Sequence, residues 1–348
     1  MIKTLTSLRL IFALMVFASH LVLIGGEHFS GHLFKEGYVG VSFFFILSGF
    51  IISYNYCDRI DYGLCSKRDF WIARIARIYP LHLLTLSIAT FAGGAFFAKQ
   101  AISWIHLFMS ATLTNSYIPR SDFFFAMNSP AWSLCCEQLF YLLFPLIIPV
   151  IRSPKKILII SAIAIIIVTI GSFITPESYI KGVWYTNPVT RFPDFLIGVL
   201  LWHVYSNIKD RKISFIQASI LESTSIIFFI LFYIYAEDVP KIFRYSFYYW
   251  LPISAVIIIF SLEKGILSKI LSSKILVKGG EISFGFYLIH YLVLTEIGMH
   301  KEMFTPFTAI TIAFTITIIT SWLSYSCFEK PMNRTVKRLL HYQQKKEK

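Results

Sequence analysis

Arg9 and His20 stand at the two ends of "RLIFALMVFASH", an otherwise nearly apolar run. Eleven steps of ~100° make about three turns plus 20°, so the two share one helix face. A rise of ~1.5 Å per residue sets them roughly 16 Å apart along the axis. A guanidinium can grip a phosphate or carboxylate through two hydrogen bonds, and an imidazole can take and return a proton near neutral pH. Each also has a plainer reading: Arg9 can snorkel to an interface and His20 can be a helix-end group. Their common face favours an interior cavity, where ionisable groups of apolar spans gather.

Other groups offer them partners. Glu137, in "SPAWSLCCEQLFYLLFP", lies about seven residues into its span, at a depth expected to match His20. A carboxylate there could orient the imidazole and stabilise its protonated form, as general-base catalysis requires, or could bond only to neighbouring Ser or Trp groups. Trp132 and Ser133 flank it as secondary candidates, and Cys135 reads as a small apolar filler rather than a nucleophile. In "RDFWIARIARIYPLH", Arg74 and Arg77 are i,i+3 neighbours that could hold a polyphosphate or meet lipid headgroups. Trp71, Ile72, Ile75 and Ile78 make an apolar stripe there, predicting an interfacial helix before a span that opens near Pro80. Gly40, Ser48 and Gly49 permit close helix packing or the passage of a thin ligand. Arg191 and Asp194 can pair with each other, while Tyr287 and His290 share a face as a possible oxyanion donor and a second buried histidine. Glu27, His28 and His32 have metal-like spacing but no further ligands, so no metal site is expected.

The elements that must position these residues follow from composition. Of 348 residues 56% are hydrophobic and 15% charged, and the mean hydropathy is +0.66. Continuous apolar stretches, not alternating ones, imply an all-α integral membrane protein rather than a barrel. Ten spans are expected at 7–25, 38–56, 79–98, 131–151, 156–175, 188–206, 216–236, 245–262, 282–299 and 306–327. The apolar stretch 104–115 is too short to cross. With both termini cytoplasmic, inside segments hold 23 Lys and Arg and outside loops seven, as the positive-inside rule asks. The net charge of +13 is thereby explained by topology and lipid contact, without nucleic acid. Five cysteines, an odd number, give no disulfide framework, and the first apolar run reads as a retained span. Residues 1–330 form one transmembrane domain and 331–348 a basic cytoplasmic tail.

Several stretches together resemble the bacterial membrane acyltransferase-3 family. "RLIFALMVFASH" is similar to its Arg–ten residues–His signature, and "GVSFFFILSGF", "RIARIYPLH", "PAWSLCCEQLFYLLFP", "RFPDFLIGVLL", "FGFYLIH" and "FEKP" resemble further blocks in the family's order. The resemblance covers nearly the whole chain. It implies an enzyme of the bacterial inner membrane that uses cytoplasmic acyl-CoA, usually acetyl-CoA, as co-substrate with no bound cofactor. The acceptor would be a hydroxyl of an extracytoplasmic or lipid-linked glycan. By position it makes His20 the catalytic residue, Glu137 its partner, and Arg9, Arg74 and Arg77 grips for the coenzyme A phosphates, with the pantetheine arm passing Ser48. The chain departs from the family at Ser42, where many members carry Asp or Glu, and at Cys135 and Cys136. Some relatives carry a fused periplasmic domain; this chain shows none, so transfer is expected to be direct or through a separate periplasmic partner. A glycan or small-anion transporter or flippase is the competing reading; it predicts paired interrupted helices in corresponding halves, and none are seen.

Overall fold

The computed structural model describes residues 2–25, 29, 31–91 and 103–342. Glu27, His28, and the 92–98 end of the third expected span lie outside them. The described chain is helical, with no strand.

Helix α1 (Lys3–Ser19) buries Leu5, Leu8, Phe12 and Val16 and leaves Ile11 exposed. Its exposed first N–H groups are met by a carboxylate: Glu263 Oε1 accepts from Lys3 N at 2.6 Å and Thr4 N at 3.1 Å. The regular helix ends at His20, and a turn at Leu21 leads to a short helix Val22–Gly25. The first span is thus broken at the histidine itself, while the rise from Arg9 to Ser19 is uninterrupted.

The remaining main helices are α2 (Val39–Ile52), α3 (Lys67–Phe91), α4 (Trp132–Leu143), α5 (Pro154–Ile174), α6 (Pro188–Ile208), α7 (Phe215–Ile234), α8 (Trp250–Phe260), α9 (Lys274–Met299), α10 (Pro306–Leu323) and α11 (Lys330–Leu339). Eight helical stretches among the described residues are long and apolar enough to cross a membrane. They correspond to eight of the ten expected spans. Of the other two, α6 has 21 residues but carries Arg191 and Asp194, and α4 stops after 12 residues where Pro145 and Pro149 follow.

One expectation changes. Residues 67–91 form one continuous helix with Pro80 inside it, so the basic segment is the first half of α3 and not a separate interfacial helix. Packing on both sides explains why: Trp71 Nε1 donates to the Tyr141 carbonyl of α4 and Asn333 Nδ2 to the Ala76 carbonyl. That second bond also ties α11 to α3, and a π-helical turn (Ser324–Glu329) joins α11 to α10. A boundary at residue 330 therefore falls within a continuous helical stretch. Trp104–Ala111 is an eight-residue helix, too short to span, as expected.

Burial sorts the bundle into inner and outer helices. The stretch containing α2 is 72% buried in its most apolar window, whereas those containing α5, α7 and α10 are each 22% buried and present Ile, Leu and Phe outward. Close backbone approaches hold the inner helices. A Cβ on Gly49 would meet the Phe195 carbonyl of α6, and one on Gly198 the Ile46 carbonyl of α2. Gly49 thus serves packing rather than the passage of a ligand. Glu222, buried in α7, accepts from Gly265 N, Leu267 N and Ser268 N, capping the short helix Ile266–Leu271. This buried charge is structural.

Candidate functional site

Three cavities lie in a row along α1. The largest, about 480 Å³, is lined by His20, Trp132, Tyr185, Lys181 and Arg244 among others. A cavity of about 140 Å³ is lined by Arg9, Arg74, Arg77, Glu137, Tyr141 and Ser48. Between them lies a neck of about 40 Å³ walled by Phe44, Phe45, Phe284, Tyr287 and Ser133. The neck shares Arg9, Phe44, Glu137 and Phe284 with the arginine cavity and Val41 with the histidine cavity.

At the histidine end, His20 Nδ1 lies 3.0 Å from His290 Nε2. His290 is wholly buried on α9, and its Nδ1 lies 3.2 Å from the Phe286 carbonyl. A carbonyl only accepts, so in neutral His290 this bond places the proton on Nδ1 and leaves Nε2 as an acceptor. His20 then donates through Nδ1, and its Nε2 keeps the lone pair. Tyr291 adds an edge-on ring 5.2 Å from His20.

Glu137 is not the hydrogen-bond partner of His20. Its Oε2 accepts from Tyr141 at 2.7 Å, one helical turn along α4, and the Tyr141 hydroxyl lies 3.2 Å from Ser48 Oγ. The depth argument fails because α4 does not begin at the membrane face. Ser129, Pro130, Ala131 and Trp132 are all buried; Tyr287 bonds the Pro130 carbonyl at 3.2 Å, and Asn128 the Leu288 carbonyl at 2.9 Å. These contacts fall midway along α9. The helix therefore starts deep, and Glu137 lands beside Arg9 at the opposite end of the row.

The arginines differ in how they are held. Arg9, half-buried, makes no hydrogen bond or ion pair with the described residues while lining two cavities. Arg74 stacks near the Tyr56 and Tyr141 rings, at 5.2 and 5.7 Å, and donates to Tyr56 Oη at 3.1 Å. Arg77 lies 3.3 Å from Glu329 and 4.9 Å from the centre of the Phe284 ring. The cluster thus contains three guanidiniums and two carboxylates, an arrangement able to take a further anion.

Among the secondary candidates, Trp132 joins the histidine cavity and Ser133 and Tyr287 the neck. Arg191 belongs to the frame. It pairs with Asp194 at 2.7 Å, donates to Ser42 Oγ at 2.7 Å and to the Tyr245 carbonyl, and is wholly buried. Cys135 is buried and donates to Asn115 Oδ1 at 3.0 Å. No cluster of metal-ligating residues occurs among the described residues. Tyr141 and Glu329 are among the site residues that escaped the sequence reading. Tyr141 could have been found as the i+4 neighbour of Glu137, and Glu329 as a lone acid opening the basic C-terminal segment.

A family model described as "Acyltransferase domain" matches residues 2–326. The chain is 27% identical to "Acyltransferase MdmB" of Streptomyces mycarofaciens over 97% of its own length and 93% of that protein's. It is also 27% identical to "Putative O-acetyltransferase SACOL0978" of Staphylococcus aureus (strain COL) over 87% of its length, spanning 54% of that longer relative. No solved structure matches it. Helices fit to cross a bilayer, a charged row of cavities at their centre and a family match over nearly the whole length converge: the chain belongs to the acyltransferase-3 family and is a multi-pass membrane acyltransferase.

Proposed function

We propose that this protein transfers an acyl group, most simply acetyl, from cytoplasmic acyl-CoA to a hydroxyl of an extracytoplasmic or lipid-linked glycan. The observation that carries the reading is the row of cavities, with arginines at one end, His20 at the other, and an aromatic neck between. It fits a donor with a polyanionic head and a long thin arm. The topology that goes with it has ten spans and both termini cytoplasmic, in a bacterial inner membrane, which puts the arginine end on the donor side.

In this mechanism Arg9, Arg74 and Arg77 hold the coenzyme A phosphates, and Glu137 keeps the guanidiniums apart and oriented through Tyr141. The pantetheine arm passes Ser48 and enters the neck, where the Phe44 and Phe284 rings must turn to admit it. His20 Nε2 takes the proton of the acceptor hydroxyl, and the oxygen attacks the thioester carbonyl. The carbon–sulfur bond breaks, and the imidazolium returns the proton to the departing thiolate. His290 holds His20 in the tautomer this requires. A relay through acyl-His20 uses the same groups in two steps.

Purified protein in proteoliposomes, given acetyl-labelled acetyl-CoA and a glycan acceptor, tests the reading. Wild type should move label to the acceptor and release thiol, and His20→Ala should lose ~10²–10⁴-fold in rate. Full transfer by His20→Ala would remove His20 from the chemistry.

A further inference from the structure

The cavity around His20 carries an uneven charge. Its lining includes the cations Lys35, Lys181, Lys241 and Arg244 and the carboxylates Glu36 and Glu237, an excess of two positive charges. Arg244 and Glu36 form an ion pair: Arg244 Nη1 bonds Glu36 Oε2, and Glu36 Oε1 accepts from Tyr249 at 2.7 Å and Tyr38 at 3.0 Å. The three lysines have no such partner; none forms an ion pair among the described residues. Lys35 and Lys241 are exposed. Lys181 is reached by solvent but crowded by protein, its ammonium 4.6 Å from the centre of the Phe125 ring. That crowding, and then the charge of Lys241, hold its pKa below the ordinary lysine range. A nearby anion would relieve both effects.

The same cavity offers flat aromatic surfaces. Tyr185 stands at the centre of a group with ring centroids 4.5 Å from Trp132, 4.7 Å from Tyr245 and 5.4 Å from Tyr38. Such rings suit the apolar C–H face of a sugar. A cleft with excess positive charge and low-dielectric walls also concentrates anions near its floor.

We propose that the His20 cavity takes an anionic glycan, whose carboxylate or phosphate is held by Lys181 with Lys35 and Lys241 while the sugar ring lies on Trp132 and Tyr185. The proposal rests on acyl transfer at His20 and names the class of acceptor. Carboxylate and phosphate share the chemistry that three ammonium groups recognise, so both are tried.

The test uses the full chain in proteoliposomes with labelled acetyl-CoA and three probes: a glucuronic-acid disaccharide, its carboxyl-reduced neutral counterpart, and a neutral disaccharide carrying a phosphodiester. At least one anionic probe should be acetylated with kcat/KM ~10-fold or more above the neutral one, and the ratio should fall as salt is raised. Lys181→Glu should shrink or reverse that ratio through KM. Equal rates on charged and neutral probes, with thiol release intact, would overturn the acceptor assignment and leave the acyl-transfer reading standing. Failure to release thiol with every probe would remove the acyl-transfer reading itself. The wild-type ratio decides the matter even if Lys181→Glu does not fold.

Discussion

His20 Nδ1 and His290 Nε2 meet at 3.0 Å, joining the break after α1 to the buried face of α9. The contact orders two tautomers at once, because the Phe286 carbonyl fixes the proton of His290 on Nδ1. His290→Ala should therefore lower the transfer rate by at least ~10-fold, against ~10²–10⁴-fold for His20→Ala. His290→Gln, which can present an acceptor oxygen to His20, should recover part of the loss. Comparing pH–rate profiles checks the role: a positioning residue shifts the His20 limb, whereas a merely structural one lowers the whole curve.

Arg9 has no hydrogen-bond or ion-pair partner among the described residues, so its removal breaks no internal contact of that kind. Arg9→Gln is expected to fold normally and to weaken coenzyme A binding by ~10–100-fold, from the loss of a charge-assisted contact of ~1.5–3 kcal/mol. Calorimetry with coenzyme A and with its dephosphorylated pantetheine arm tells a phosphate grip from a general effect. Only the former should lose affinity.

Arg77 should behave differently. Glu329 is almost wholly buried beside it, and Arg77→Ala strands that carboxylate. The single variant should melt earlier in detergent, and Arg77→Ala with Glu329→Gln should regain stability without regaining donor affinity. Thermal melts and coenzyme A titrations of the two proteins separate the contributions.

Arg191 and Asp194 are a frame pair. Breaking it by Asp194→Ala leaves a buried guanidinium, at a cost of ~3–5 kcal/mol, which should appear as lost yield or a lowered melting temperature rather than altered KM. Ser42→Asp is expected to restore stability in that background, because Ser42 Oγ already sits 2.7 Å from Arg191. A melting series of the two single variants and the double variant measures the coupling.

Gly49 and Gly198 set the α2–α6 crossing. Gly198→Leu should separate the helices and displace Ser48, reducing activity together with stability, whereas an outward position such as Ile163→Leu should change neither. Activity and melting temperature measured on the same preparations would show whether the two fall together.

The sequence by itself determined much of this protein. Apolar runs fixed the helices, because backbone polar groups inside a bilayer must be satisfied within the chain. The Arg9–His20 face followed from helical period, and the basic clusters at span ends gave an expected topology. Helical period also placed Arg74 and Arg77 together. Tertiary structure alone decided which depths meet. Whether α4 begins at the membrane face or deep within it depends on where the Asn128–Trp132 segment packs against α9, a contact between residues some 160 positions apart. That contact moves Glu137 to the arginines and leaves His290 to hold His20. It is also tertiary packing that fuses the basic segment into α3 and makes Arg191 structural, since the energy of a buried charge is set by its neighbours in space and not by those along the chain.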